Sequence, residues 1–217
     1  MTAALDIVIP VYNEGPNILA TLGALARIVK TPARVLICYE RPDDNMLPVV
    51  RDNPQVYAGL PVEFFRNPGR GAHAAVMAGL AASTAPVVVV VVYPADDDFN
   101  AGIIDAMVAL ARQGNDIVCA SRFMPGGKME GCPWLKAILA RTAAFALHRF
   151  ARLPTHNPTS GFRRFSRRVI EQIPVESDQG FTYTIELLVK AHRLGWQSRS
   201  CRPSGSSANT TPAGLTC

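Results

Sequence analysis

The chain has 217 residues, enough for one well-buried domain and too few for two comfortable ones. Apolar residues make up 48% and charged residues 18%, a globular composition that argues against a disordered chain. The formal charge of +5 suits an anionic partner such as a phosphate or a lipid surface, although solubility explains it equally well; few aromatics accompany the basic residues, so nucleic-acid binding is not indicated.

Short apolar runs alternate with helix-like segments from the start of the chain. Asp6 to Val11, Arg34 to Tyr39, Val62 to Arg66, Val87 to Tyr93 and Asp116 to Ala120 read as strands, rich in Val and Ile and flanked by Pro, Gly or Asn. Asn17 to Lys30, Gly71 to Ser83 and Ala101 to Gln113 read as helices, the last followed by Gly114 where a C-cap glycine belongs. The alternation predicts an α/β fold with a mostly parallel central sheet and ligands at the carboxyl ends of its strands. Six consecutive valines, Val87 to Val92, predict a central strand covered on both faces.

After residue 125 the pattern changes. Pro125, Gly126 and Gly127 form a loop, and Trp134 to Leu153 reads as a helix. Leu135, Leu139 and Phe150 share one face of it, while Arg141, Arg149 and Arg152 lie opposite, among Trp134, Ile138 and Phe145. Two readings fit: a helix at a membrane interface, or a core helix with a solvated basic face. No run reaches the roughly 18 apolar residues of a spanning helix, and Asp6 interrupts the apolar core that a signal peptide would need. Cys38, Cys119, Cys132, Cys201 and Cys217 are scattered without a CxxC pair, which favours a reducing compartment over a zinc site or disulfide framework. The expectation is a cytoplasmic chain, soluble or peripheral at the cytoplasmic membrane face.

The chemistry concentrates at Asp96-Asp97-Asp98-Phe99-Asn100. Three adjacent carboxylates after a buried strand repel one another unless a cation offsets them. In an extended segment Asp96, Asp98 and Asn100 lean the same way. Two carboxylates and an amide oxygen suit Mg²⁺ or Mn²⁺, leaving positions open for phosphate oxygens. The competing reading is a solvated acidic turn that caps the next helix. Upstream, Ile7 to Pro10 runs into Val11-Tyr12-Asn13-Glu14, a strand feeding a polar loop and then a helix. Such a loop reads a nucleoside with its backbone and with Asn13 or Glu14, or is an ordinary capped turn.

Together these segments resemble family-2 glycosyltransferases of the GT-A (Rossmann-like) fold. Further motifs follow in matching order: Asn67-Pro68-Gly69-Arg70-Gly71-Ala72, Ser121-Arg122-Phe123-Met124-Pro125-Gly126-Gly127, Thr159-Ser160-Gly161-Phe162-Arg163, and Gly180-Phe181 leading to Ile185-Glu186-Leu187-Leu188. They are similar to the dolichol-phosphate mannosyltransferase-like branch over about residues 5 to 196. The resemblance implies an inverting transfer of a sugar from a nucleotide-sugar, GDP-mannose first and UDP-glucose or a UDP-aminosugar next, to a polyprenyl or dolichyl phosphate. It implies donor contacts from Pro10, Tyr12, Asn13, Glu14, Glu40, Arg70, Gly71 and Asp96, and metal ligation by Asp96, Asp98 and Asn100. Arg122, Lys136 and Arg163 become the cations that hold the acceptor phosphate, with Lys136 standing where the family usually has Arg. For Arg70 and Gly71 a plain turn is the other reading; for Glu186, a structural role.

Three features depart from the pattern. Tyr39-Glu40 stands where the second strand usually ends in an Asp pair, with Asp43 and Asp44 further on, and Asn157 stands where an Asp is common. From Gln197 the Ser-, Thr- and Pro-rich sequence is not expected to form a core strand, which bounds the domain at 1–196 and leaves 197–217 as an aberrant tail. With permitted codons, a two-base shift of Ser198 through Asn209 reads A-E-L-P-A-V-W-F-E-R-E, restoring the family's spacing of Glu, Pro, Trp and Arg. A frameshift is the hypothesis, and a gene sequence that does not encode that peptide in another frame ends it. Asn157 and the tail keep open an inactive sugar-nucleotide-binding remnant; a glycosyltransferase with another acceptor is the further alternative.

Overall fold

A computed structural model describes residues 3–90, 101–120 and 160–201. The first half builds β1 (Leu5–Pro10), α1 (Asn17–Ile28), β2 (Ala33–Tyr39), α2 (Met46–Asp52), a 3₁₀ turn (Pro54–Tyr57), β3 (Val62–Arg66), α3 (Gly71–Ala82) and β4 (Val87–Val90). Then come α4 (Ala101–Arg112), β5 (Ile117–Ala120), β6 (Arg163–Ser166), α5 (Arg167–Gln172), α6 (Thr182–Arg193) and β7 (Ser198–Cys201).

The strands form one sheet in the order β3-β2-β1-β4-β6-β5-β7. β1 pairs in parallel with β2 and β4, β2 with β3, and β5 with β7, while β6 runs antiparallel between β4 and β5. The mostly parallel sheet is therefore present, and the valine strand sits near its middle, with β1 on one side and β6 on the other.

Side-chain alternation divides the core in two. Leu5, Ile7 and Ile9 of β1 pack with α1, α2 and α4 on one face, whereas Val8 packs with α3, α5 and α6 on the other. Helix α1 forms because Ile18, Leu22 and Leu25 recur at helical spacing and present one buried stripe. Helix α3 uses small residues instead: a Cβ on Gly79 would lie 2.3 Å from Val8 Cγ1 and 2.8 Å from Cys38 Sγ, so glycine lets the helix lie directly on β1 and β2. Helix α4 ends where predicted, with Gly114 at φ +87° donating to the Ala111 carbonyl.

The expectation that no core strand follows residue 197 is corrected at Ser198–Cys201. That segment pairs with β5 from Ile117↔Ser198 to Ala120↔Cys201, and Ser198 and Cys201 are buried. Strand pairing needs only backbone N–H and C=O groups, and small side chains suffice where Arg199 can stay in solvent. Residues 202–217, with most of the frameshift segment, lie outside the described residues, as does the helix expected at Trp134 to Leu153.

Candidate functional site

Strands β1 to β4 run in one direction, so their carboxyl ends open on a single edge of the sheet. At that edge the loop after β1 is held by the loop after β2. Asn13 adopts φ +54°, a conformation asparagine tolerates, and its N–H donates to Asp44 Oδ2 at 3.0 Å. Gly15, at φ +50°, donates to Asn45 Oδ1 at 2.9 Å. The other Asp44 oxygen accepts from Met46 N at 2.9 Å, so one buried carboxylate fixes both the loop and the start of α2. Asp43 is engaged differently, by the Arg41 guanidinium at 2.9 and 2.6 Å.

The loop between β3 and α3 closes the other side. Gly71, at φ +78°, donates its N–H to Glu40 Oε2 at 3.0 Å and ties the end of β2 to the head of α3. Asn67 is buried; its Oδ1 accepts from Gly69 N at 2.6 Å, and its Nδ2 has no partner among the described residues.

Between these loops lies a cavity of about 480 Å³, within the range of small-molecule sites. It is lined by Pro10, Val11, Tyr12 and Glu14 from the end of β1 and its loop, by Glu40 after β2, Asn67 after β3, Gly71, Ala72 and Ala75 from α3, and Phe181 from the start of α6. Tyr12 is 59% exposed and Phe181 40%, so two exposed aromatic rings are among the lining of a cleft that also presents two carboxylates and an amide. Of the sequence-predicted donor contacts, Pro10, Tyr12, Glu14, Glu40 and Gly71 come together here. Asn13 holds the turn through its backbone, and Arg70 lines a neighbouring cavity that shares Glu40 and Asn67.

Val11, Asn67, Ala72, Ala75 and Phe181 line the cavity but are absent from the predicted donor contacts. The motifs containing Asn67 and Phe181 were visible, but only the fold brings residue 181 beside residue 12. Glu186, which follows Phe181 on α6, has a structural set of partners. Its carboxylate accepts from Glu176 N (2.7 Å), Ser177 N (2.9 Å) and Lys190 Nζ (2.7 Å), pinning the segment that leads into α6. Burial pushes that carboxyl up, but Lys190 and the two N–H donors outweigh it and bring it down to about 2. The structural reading of Glu186 is the one observed.

Arg163 lies on β6, paired with Val90 of β4 and Cys119 of β5, next to the strand that leads to Asp96. It is fully buried, and its guanidinium donates to the carbonyls of Ser160 and Thr184. Asp96, Asp98, Asn100, Arg122 and Lys136 lie outside the described residues. Among the described residues no group of three or more His, Cys, Asp or Glu forms a metal cluster, and no helix is long and apolar enough to cross a membrane.

Known proteins match this arrangement. In fold, the chain is similar to glucosyl-3-phosphoglycerate synthase from Mycobacterium tuberculosis, solved with Mn²⁺, UDP-glucose and phosphoglyceric acid. The TM-score is 0.67 at 18% identity, covering 97% of this chain and 73% of that one. The fold is GT-A. Residues 6–174 match the profile of glycosyl transferase family 2, and the chain belongs to that family. It is 28% identical over 194 residues to an uncharacterized glycosyltransferase of Mycobacterium bovis, covering 89% of this chain and 81% of the relative. It is also 25% identical over 191 residues to a dolichol-phosphate mannosyltransferase of Pyrococcus furiosus, covering 86% of this chain and 52% of that longer protein.

Proposed function

We propose that this family-2 glycosyltransferase moves a sugar, with inversion, from a nucleotide-sugar to a polyprenyl or dolichyl phosphate at the cytoplasmic membrane face. GDP-mannose is the favoured donor, ahead of UDP-glucose or a UDP-aminosugar. The observation that carries the reading is the cavity at the carboxyl ends of β1 and β2, lined by Tyr12 and Phe181, with β1 paired to β4, the strand that precedes the acidic segment in sequence. Its size and mixed lining suit a nucleoside, with Tyr12 and Phe181 offering stacking faces.

Asp96, Asp98 and Asn100 present the hard oxygen donors that Mg²⁺ or Mn²⁺ takes, and such an ion would offset charge on the departing nucleoside diphosphate. The acceptor phosphate is ionised near neutral pH and attacks without a strong general base. A bond forms from a phosphate oxygen to the anomeric carbon as the bond to the donor diphosphate breaks on the opposite face. Arg122 and Lys136 would hold the acceptor phosphate directly. Arg163, buried behind the end of β4, would add its positive charge from within the sheet.

Radiolabelled GDP-mannose, Mn²⁺ and a short polyprenyl phosphate test this reading. The expected result is label in the lipid phase that requires Mn²⁺ and is lost at least about a hundredfold in Asp98→Ala. Transfer to phosphoglycerate but not to polyprenyl phosphate would replace the acceptor. Nucleotide binding without turnover of any GDP- or UDP-sugar would leave an inert remnant.

A further inference from the structure

Phe181 stands just ahead of α6 and lines the cavity together with Gly71, Ala72 and Ala75 of α3. Its backbone is fixed to the first turn of α6, where the Phe181 carbonyl accepts from Thr184 N at 3.0 Å and from Thr184 Oγ1 at 2.7 Å. The Thr184 carbonyl accepts in turn from Arg163 Nη1 of β6 at 2.5 Å, which ties that turn to the sheet. The ring has a support of its own. It packs at a tilt against Tyr183, with centroids 6.5 Å apart and 59° between planes, and Tyr183 meets His73 of α3 edge to face at 5.9 Å and 70°. Phe181, Tyr183 and His73 thus form a row of rings from the cavity to α3, with Tyr183 fully buried at its centre. The polar atoms of that row bond to nothing: the Tyr183 hydroxyl and His73 Nε2 are buried and have no partner among the described residues. A buried hydroxyl in that state costs stability, and a phenyl ring in its place would not. Ring contact, rather than hydrogen bonding, is what Tyr183 and His73 contribute, and that contact leads to Phe181.

We propose that Tyr183 and His73 are positioning residues for the nucleotide-sugar, acting through Phe181 without touching the ligand. Neither lines the cavity. Phe181 is 40% exposed and follows Gly180 at φ +54°, so a ring there without lateral support would sample several orientations. Every orientation lost on binding weakens the complex, and packing against Tyr183 removes that freedom in advance. His73 falls between Ala72 and Ala75 in sequence, so one turn of α3 presents methyl groups to the cavity and an imidazole to Tyr183. The row of rings therefore sets Phe181 relative to the part of the lining that α3 supplies. The inference rests on the nucleotide-sugar reading of the cavity and adds how one of its lining side chains is held.

Calorimetric titration of the full chain with Mn²⁺ and GDP or UDP, alongside thermal unfolding, tests it. Phe181→Ala, at an exposed position, should loosen nucleotide binding about tenfold and leave the thermal midpoint nearly unchanged. Tyr183→Leu should loosen it by a similar factor and His73→Ala about fivefold, yet in the Phe181→Ala background neither should add more than about twofold. Tyr183→Phe keeps the ring, so it should bind as the wild type does, with a midpoint raised by about 2–4 °C because the unpaired hydroxyl is gone. A merely structural pair would lower the midpoint without moving the affinity, and that result overturns the proposal. Unchanged affinity in Phe181→Ala, full additivity with it, or weakened binding by Tyr183→Phe overturns it equally. If Tyr183→Leu does not fold, the cycle between His73→Ala and Phe181→Ala decides. A wild-type chain that binds neither GDP nor UDP overturns the nucleotide reading itself, and this inference falls with it.

Discussion

The two halves of the sheet bury their strands by different physics. In β1 and β2 the covered apolar positions are Leu5, Ile7, Val8, Ile9, Val35, Leu36, Ile37 and Cys38, on both faces, with Asp6 the buried charged residue of β1. In β6, between β4 and β5, two arginines occupy that depth: Arg163 is 0% exposed and Arg164 is 3% exposed. Arg163 donates to the carbonyls of Ser160 and Thr184, and Arg164 donates to the Asn115 carbonyl while its Nε has no partner among the described residues. Burial lowers the Arg164 guanidinium to about 10, with Asp116 pulling the other way. A sheet interior thus accepts charge where backbone carbonyls from neighbouring loops and from the first turn of α6 converge on it. The apolar half relies on its own side chains; the arginine half relies on segments distant in sequence.

The largest test falls on Asp6, the polar clamp at the start of β1. Asp6 is fully buried and accepts from both Arg34 nitrogens (3.0 Å each), Ser83 Oγ (2.8 Å), Thr84 N (2.8 Å) and Ala85 N (2.9 Å). Asp6→Ala removes the acceptor for all of them and should cost about 3–5 kcal/mol in urea unfolding, far more than a surface carboxylate. A loss below about 1 kcal/mol would show that the apolar half stands without its clamp.

The same carboxylate sets an acid limit. Burial raises the Asp6 carboxyl, but Arg34, the Ala85 N–H, Ser83 and the Thr84 N–H together bring it below the usual range. Asp116, which accepts from Arg168 and Ser166 Oγ, is likewise lowered against burial. A depressed carboxyl contributes stability that is complete above the unfolded value, near pH 4, and that disappears as pH falls through the folded value. Stability should therefore decline below about pH 4 in the wild type. In Asp6→Ala and Asp116→Ala the acid slope should be shallower, and an unchanged slope in both variants would assign acid sensitivity elsewhere.

Close packing in the apolar half predicts a smaller effect. Gly79→Ala forces a methyl group against Val8 and Cys38 and should cost about 1–3 kcal/mol. A neutral result would mean that α3 can lift from the sheet without penalty. The smallest effect is expected in the arginine half, at Arg164→Met. Trading an incompletely satisfied buried charge for an apolar chain of similar length should shift stability by less than about 1 kcal/mol in either direction. A loss of several kcal/mol would instead make the Asn115 carbonyl contact indispensable to β5 and β6.

The apolar half was also the half that could be read in advance. Alternating or continuous Val, Ile and Leu placed β1 to β4, and helical spacing placed α1, α3 and α4 to within two residues of the helix ends observed. Helix α2, Met46–Asp52, carries a proline and only seven residues, too little pattern to register. Strand β6 reads Arg-Arg-Phe-Ser, and nothing local distinguishes it from a surface turn. Ser198–Cys201 was expected to lie outside the core on composition, yet an outer strand needs backbone pairing more than apolar side chains.

At the candidate site the same division holds. Tyr12, Glu14, Glu40 and Gly71 were marked by motifs at strand ends, because an ordered set of short motifs reports ancestry even where each one is weak. The sequence by itself therefore determined the family, the apolar strands, and the edge of the sheet where chemistry belongs. Only the tertiary structure decided that Phe181 faces the same cavity as Tyr12, that Asp44 holds the Asn13 turn while Glu40 is tied to Gly71, and that Asn67 is left, among the described residues, with an unpaired amide donor. The reason is physical: periodicity encodes which side of an element is buried, whereas the partners of a polar group depend on loops that meet across dozens of residues.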